Sequence, residues 1–260
     1  MFHSDETYKK CNESLIFVLS SVLYGFAKYE CDTKDQIIRN FVAKSSMTIN
    51  AIFTLWDHSN YQDGWVLHRT LLDRFFHLYA NGESDAFENF EEWSFFEQYK
   101  ALNRLLSDGK FKQDNACMGF TFTQDQKKRA KIFENNKPSW RRPRAKSVAK
   151  DLEMTFLYKY GYDYASTHVH PMANDGEQDF FTITKLCPIH KYPSQITLLS
   201  NTILIGTLLL QEVLNRSGFS WCKALFDFID MLRITLETGI HNYESKLLSI
   251  KQLTLVVVLT

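Results

Sequence analysis

From Trp65 onward, Val66, Leu67, Leu71, Leu72, Phe75, Phe76 and Tyr79 recur at steps of three and four, the spacing that lines apolar side chains along one stripe of an α-helix. A strand would need alternation instead, so this stretch commits the chain to burying a helix. Composition agrees. Only 10 glycines and 5 prolines in 260 residues leave few of the tight turns an all-β chain requires, while 45% hydrophobic residues and 21 phenylalanines supply a large core. The expectation is a single all-α domain over residues 1–260, a bundle of seven or eight helices with the Trp65 to Tyr79 helix at its centre.

The same periodicity, read with caps and breakers, predicts the other elements. Helices are expected over 7–29 and 34–56, the second capped by Asp32 or Thr33. Gly64 breaks the pattern before the third helix, which stops at Asn81-Gly82. An aromatic and acidic helix follows from Ser84 to about Leu106, and a shorter basic one over 124–135. Ser147 can cap a helix running to about Tyr160. Past Pro171 a long polar loop is expected, marked by Asn174-Asp175-Gly176, Pro188 and Pro193, with a short extended piece at Phe180 to Thr184. The C-terminal part, 194–248, reads as two helices, 194–216 and 219–248, separated by Gly218. Residues 110–123 carry no clear period.

Cys11, Cys31, Cys117, Cys187 and Cys222 are scattered and odd in number, without a Cys-x-x-Cys pair. Neither a disulfide framework nor a zinc knuckle is expected, and a reducing, cytoplasmic setting fits. The apolar run Leu15 to Ala27 lacks a basic leader, and Ile196 to Leu210 is interrupted by Ser200, Asn201, Thr202 and Thr207. Both read as buried helices, with no membrane partner. The net charge is zero but segregated. Residues 83–97 carry six acids and no base, whereas 127–150 carry ten bases against Glu134 alone.

Chemistry concentrates in residues 160–171, which hold three tyrosines, Asp163, Ser166, Thr167, His168 and His170. If helical, Tyr160, Tyr164 and His168 fall at four-residue steps, and Ser166 meets His170 at the same spacing, a hydroxyl beside an imidazole. The alternative is that these groups bond to nearby backbone at a helix end. If His168-Val169-His170 is extended, both imidazoles point to one side and a metal-dependent hydrolase becomes the reading, its further ligands drawn from Asp175, Glu177, Asp179 or His190. Arg69 and Asp73 form a second constellation, one turn apart amid leucines and phenylalanines, either an internal ion pair or an anion contact whose rotamer Asp73 sets. The basic run with Trp140, Arg141, Arg142 and Arg144 suits a nucleotide or RNA backbone with base stacking, or else a solvated loop paired with the acidic helix. Nothing in the sequence calls for a cofactor.

Four stretches carry a resemblance: LHRTLLDRFFHLY from Leu67, FFEQYKALNRLL from Phe95, PSW from Pro138 and YDYASTHVHP from Tyr162. Together they resemble the bacterial domain of unknown function 5677 family over about residues 40–215. The resemblance implies an all-helical architecture and a site pairing an Arg-x-x-x-Glu/Asp turn with a Tyr-x-x-x-Ser-x-x-x-His segment. On this chain those are Arg69 and Asp73, and Tyr162, Ser166 and His170, with His168 and Tyr164 beside them. It also suggests a toxin or defence setting. The arginine-to-histidine spacing of four to six that marks helical toxin ribonucleases is not met, since Arg69 precedes His77, and Arg233 precedes His241, by eight positions. The functional expectation is a polar pocket that binds or hydrolyses a phosphate-bearing ligand. The alternative is a non-catalytic interaction protein or homo-oligomer whose polar cluster locks helices together.

Overall fold

A computed structural model describes residues 3–108, 122–170, 173, 176–186, 193–218 and 222–259. Among these there are eleven α-helices, one π-helical segment and no strand, so the chain is all-α. The helices are α1 (Asp5–Phe26), α2 (Thr33–Asp57), α3 (Tyr61–Glu83), α4 (Phe87–Ser107), α5 (Gln124–Asn135), α6 (Ala145–Asp151), α7 (Tyr164–Ser166), α8 (Glu177–Thr184), α9 (Pro193–Arg216), α10 (Cys222–Thr238) and α11 (Glu244–Leu259). The π-helical segment spans Leu157–Asp163. The count exceeds the expected seven or eight because α6, α7 and α8 are short pieces of 7, 3 and 8 residues.

Contacts divide the chain into two compact units, one formed by residues 1–80 and 143–260, the other by Asn81–Arg142. In the first, α1, α2 and α9 pack against one another, and α10 and α11 close on α1 and α9. The buried stripe of α1, Tyr8, Cys11, Leu15, Val18, Leu19, Val22 and Phe26, explains its orientation, and Ser4 caps it by accepting from the Thr7 N–H at 3.3 Å. Gly206 of α9 makes the three-helix seam possible. A Cβ there would lie 2.6 Å from Leu15 Cδ2 and 3.1 Å from Ile49 Cδ1, so only glycine lets the helices approach this closely. The seam, rather than α3, occupies the centre. α3 lies against it through Arg74 Nη1, which donates to Thr48 Oγ1 of α2 at 2.9 Å, and through His68, which meets Thr202 of α9. Ile196–Arg216 is long and apolar enough to cross a membrane by composition, and 67% of that window is buried inside the protein.

The second unit pairs the acidic α4 with the basic α5. Thr123 and Gln126 form a capping box at the start of α5, each side chain accepting from the other's backbone N–H. The Arg129 guanidinium grips both oxygens of Glu91 and lies 4.4 Å from the Phe95 ring centroid. Opposite charges segregated along the sequence thus meet here.

Several element ends differ from expectation for tertiary reasons. Gly64 does not break α3. It lies inside the first turn, where a Cβ would come within 2.8 Å of Leu198 Cδ2. Asn81 does not stop that helix either, because its side chain is held by Trp140. The helix from Ser147 ends early. Glu153 turns left-handed (φ 56°), and the Met154 N–H donates back to the Ala149 carbonyl at 2.9 Å, a Schellman-type stop. Gly239 (φ 76°) splits the last expected helix in two. Phe180 to Thr184 is helical, not extended, within α8. Residues 110–121, Pro171, Asp175, Pro188 and His190 lie outside the described residues.

Candidate functional site

After the Schellman stop the backbone rewinds as a π-helix, a wider turn that is uncommon and frequently marks functional positions. Its Gly161 faces α3. A Cβ there would meet Leu72 Cδ2 at 3.2 Å and His68 Nε2 at 3.4 Å, so the glycine lets this segment settle directly over the helix. The next residue, Tyr162, then lies over Arg69. Arg69 Nη2 donates to the Tyr162 phenol oxygen at 3.3 Å, and the guanidinium carbon sits 4.8 Å from the ring centroid. Tyr158 stacks on Tyr162 at 5.7 Å and 15°, and Phe76 borders the same ring at 6.5 Å. Arg69 Nε is buried with no hydrogen-bond partner among the described residues.

Tyr164, one turn on, packs edge-on against Trp65 at 5.1 Å and against His168 at 5.2 Å, so the four-residue step from Tyr164 to His168 does bring those rings together. Ser166 turns elsewhere: its hydroxyl donates to the Tyr162 carbonyl at 2.6 Å, closing on its own helix. That hydroxyl proton is committed to backbone, and His170 is exposed. Residues 167–169 are wound in turns, their N–H groups reaching Tyr164, Ala165 and Ser166 carbonyls, so the extended geometry that a shared metal would need is not formed. No group of three or more metal-ligating side chains gathers among the described residues. Asp73 is half-buried one turn from Arg69, and its charge bears on Arg74, whose own pKa burial lowers and Asp73 raises.

Of the basic candidates, Arg141, Arg142 and Arg144 are exposed, with Arg141 Nη1 donating to the Trp140 carbonyl at 3.0 Å. Trp140 is not a stacking platform. Its indole is 7% exposed, donates from Nε1 to Asn81 Oδ1 at 2.8 Å, and packs on Phe90 and Trp93 at 4.8 and 4.6 Å. Proline at 138 and the arginines deliver it into the core of its own unit, which leaves no face for a base.

His68 was passed over in the sequence, where it offers no diagnostic spacing. It is fully buried, Trp65 packs edge-on at 5.1 Å, and Nδ1 lies 3.2 Å from Thr202 Oγ1, while Nε2 has no partner among the described residues. Burial drives its pKa down to about 3, so the ring is neutral. A signal existed. His68 stands in the same three-and-four register as Leu71, Leu72 and Phe75, and a histidine inside an apolar stripe must find a partner on a facing helix.

A sequence model of the family of unknown function DUF5677 matches residues 35–182, more than half of the chain. The chain belongs to that family. No curated protein and no solved structure matches it. The DUF5677 match runs from the first turn of α2 into α8 and so takes in Arg69, Asp73, His68 and the whole π-helical segment. Thr202, on α9, falls beyond it.

Proposed function

We propose that the face where α3 meets the π-helical segment binds a phosphate-bearing ligand, nucleotide or RNA, with Arg69 as its charged contact. One observation carries this. Arg69 is a permanent cation, half-buried, whose side-chain acceptor is a neutral phenol and whose buried Nε is unmatched. A guanidinium desolvated without an anion is costly, and a planar fork with spare donors suits phosphate. The Tyr162 ring presses on the guanidinium and holds its plane, reducing the entropy lost when an anion docks. Binding is favoured over hydrolysis, because the Ser166 hydroxyl is already given to backbone.

The test is phosphate, nucleotide and single-stranded RNA binding, by calorimetry and by thermal shift, with wild type, Arg69→Ala and Arg69→Lys. Binding should be lost in Arg69→Ala and strongly weakened in Arg69→Lys, which keeps charge but not the fork. Equal affinity in all three, with circular dichroism unchanged, rejects the proposal.

A second reading, a non-catalytic interaction protein whose polar cluster locks helices together, draws on the His68 to Thr202 contact, which ties α3 to α9 wholly inside the core. Under it, Arg69→Ala lowers stability and changes no ligand affinity.

A further inference from the structure

His68 and Thr202 share one hydrogen atom. Thr202 is fully buried on α9, and the histidine ring is the one hydrogen-bonding partner of its hydroxyl among the described residues. If the ring nitrogen donated, the buried threonine O–H and the histidine Nε2 lone pair would both go unmet. If the hydroxyl donates to Nδ1, only one group is left over, the proton on Nε2. Burial of unmet polar groups costs enough to select the second arrangement, so His68 is the Nε2–H tautomer. It is a neutral N–H donor, fully buried, fixed at one end by α9.

The other end points at the π-helical segment. Gly161 stands there, and the volume its absent Cβ would fill lies 3.4 Å from His68 Nε2 and 3.2 Å from Leu72 Cδ2. One residue further along both elements, Tyr162 faces Arg69, whose Nε is the other buried donor without a partner on this stretch of α3. Two unmet N–H donors on consecutive residues therefore face consecutive residues of one segment. Neither has an acceptor within the chain, and a bound oxygen would satisfy both.

Resting on the anion site proposed above, we infer that His68 is a ligand-binding residue of it. One oxygen of the phosphate group enters the space over Gly161, accepts from His68 Nε2–H, and lies beside Arg69. The site thus discriminates by donors: a single positive charge from Arg69 and a neutral imidazole N–H, an arrangement that suits a terminal phosphate with several free oxygens over a phosphodiester with two. Gly161 is required because any side chain there occupies the oxygen's place. Thr202 is a positioning residue, acting only through the tautomer it imposes.

Inorganic phosphate is the probe. In 15N-labelled protein in a non-phosphate buffer, long-range 1H–15N correlation should show His68 protonated at Nε2. Titrating phosphate should then move its Nε2 resonance with the same midpoint as binding by calorimetry. Gly161→Ala should weaken phosphate at least about tenfold, the scale of one hydrogen bond to a charged group, and abolish the His68 response. His68→Phe keeps the ring volume and removes the donor, so it should weaken phosphate similarly even where Gly161→Ala disturbs the segment. A wild-type ring protonated at Nδ1 overturns the inference. So does a His68 resonance that stays still while phosphate binds through Arg69, with His68→Phe binding as wild type; that outcome leaves the Arg69 site standing. Phosphate binding that Arg69→Ala does not alter sinks the Arg69 site itself, and wild-type protein that binds no phosphate overturns both.

Discussion

The Arg69 guanidinium is held by the phenol of Tyr162, 93 residues away in the chain, with a 3.3 Å hydrogen bond to the hydroxyl and a 4.8 Å approach to the ring. The hydroxyl and the ring are separable. Tyr162→Phe removes the acceptor and keeps the stacked face, so it should cost about 1 kcal/mol of stability in urea denaturation. It also frees Nη2 for an external anion. Phosphate affinity should therefore survive Tyr162→Phe and vanish in Arg69→Ala; parallel losses in both would tie the phenol itself to the ligand.

Trp140 holds its unit together where its neighbouring arginines suggested a surface. Trp140→Ala empties a buried site between Phe90 and Trp93 and should cost about 3–5 kcal/mol. Trp140→Phe keeps much of the volume but strips the donor from Asn81 Oδ1, leaving an unmet buried acceptor worth about 1–3 kcal/mol. The loss is local, so amide hydrogen exchange should speed up in α4 and α5 and much less in α1 and α9. Uniform acceleration along the chain contradicts this assignment.

What the sequence made legible follows from which forces are local. The helices of 12 residues or more announced themselves because their apolar stripes are properties of each segment alone. Their ends were less legible, since Asn81 became helical by bonding Trp140 and Gly64 by fitting against Leu198, and neither partner is near in sequence. The site divides the same way. Arg69 and Tyr162 could be singled out as motif residues, and they touch. His68, Gly161 and Thr202 could not, because their roles arise where three elements converge. One of those is a π-helical turn that no residue type marks in advance. Trp140 misled because proline and arginine around a tryptophan look alike whether the indole faces solvent or core.

Cys11 and Cys31 are both free thiols but should differ in reactivity. Cys11 is fully buried in α1, and burial pushes its thiol up to about 11, with a hydrogen bond to Tyr243 pulling weakly the other way. At about pH 8 almost none of it is thiolate, and reagents cannot reach it. A brief iodoacetamide pulse on native protein, read by peptide mass mapping, should label Cys31 and spare Cys11 until denaturant is added. Equal labelling would mean that α1 opens on the timescale of the pulse.

His68 should leave a signature in the pH dependence of stability. Its ordinary value of 6.5 applies to the unfolded chain, while burial lowers the folded value to about 3. As pH falls below about 6.5 the unfolded state takes up a proton that the native state refuses, so unfolding is favoured, and the contribution is complete only above that value. The slope is about 1.4 kcal/mol per pH unit for one proton, continuing downward until the native ring itself titrates near 3. His68→Phe removes this proton while leaving every carboxylate in place, so the difference between the two stability curves isolates it. Urea midpoints for both proteins, measured from about pH 7.5 to 5 in buffers without phosphate, should converge or cross as pH falls, with wild type losing ground. Parallel curves over that range would mean that the ring is protonated in the folded protein and that the neutral donor assigned to it at the α3 seam is wrong.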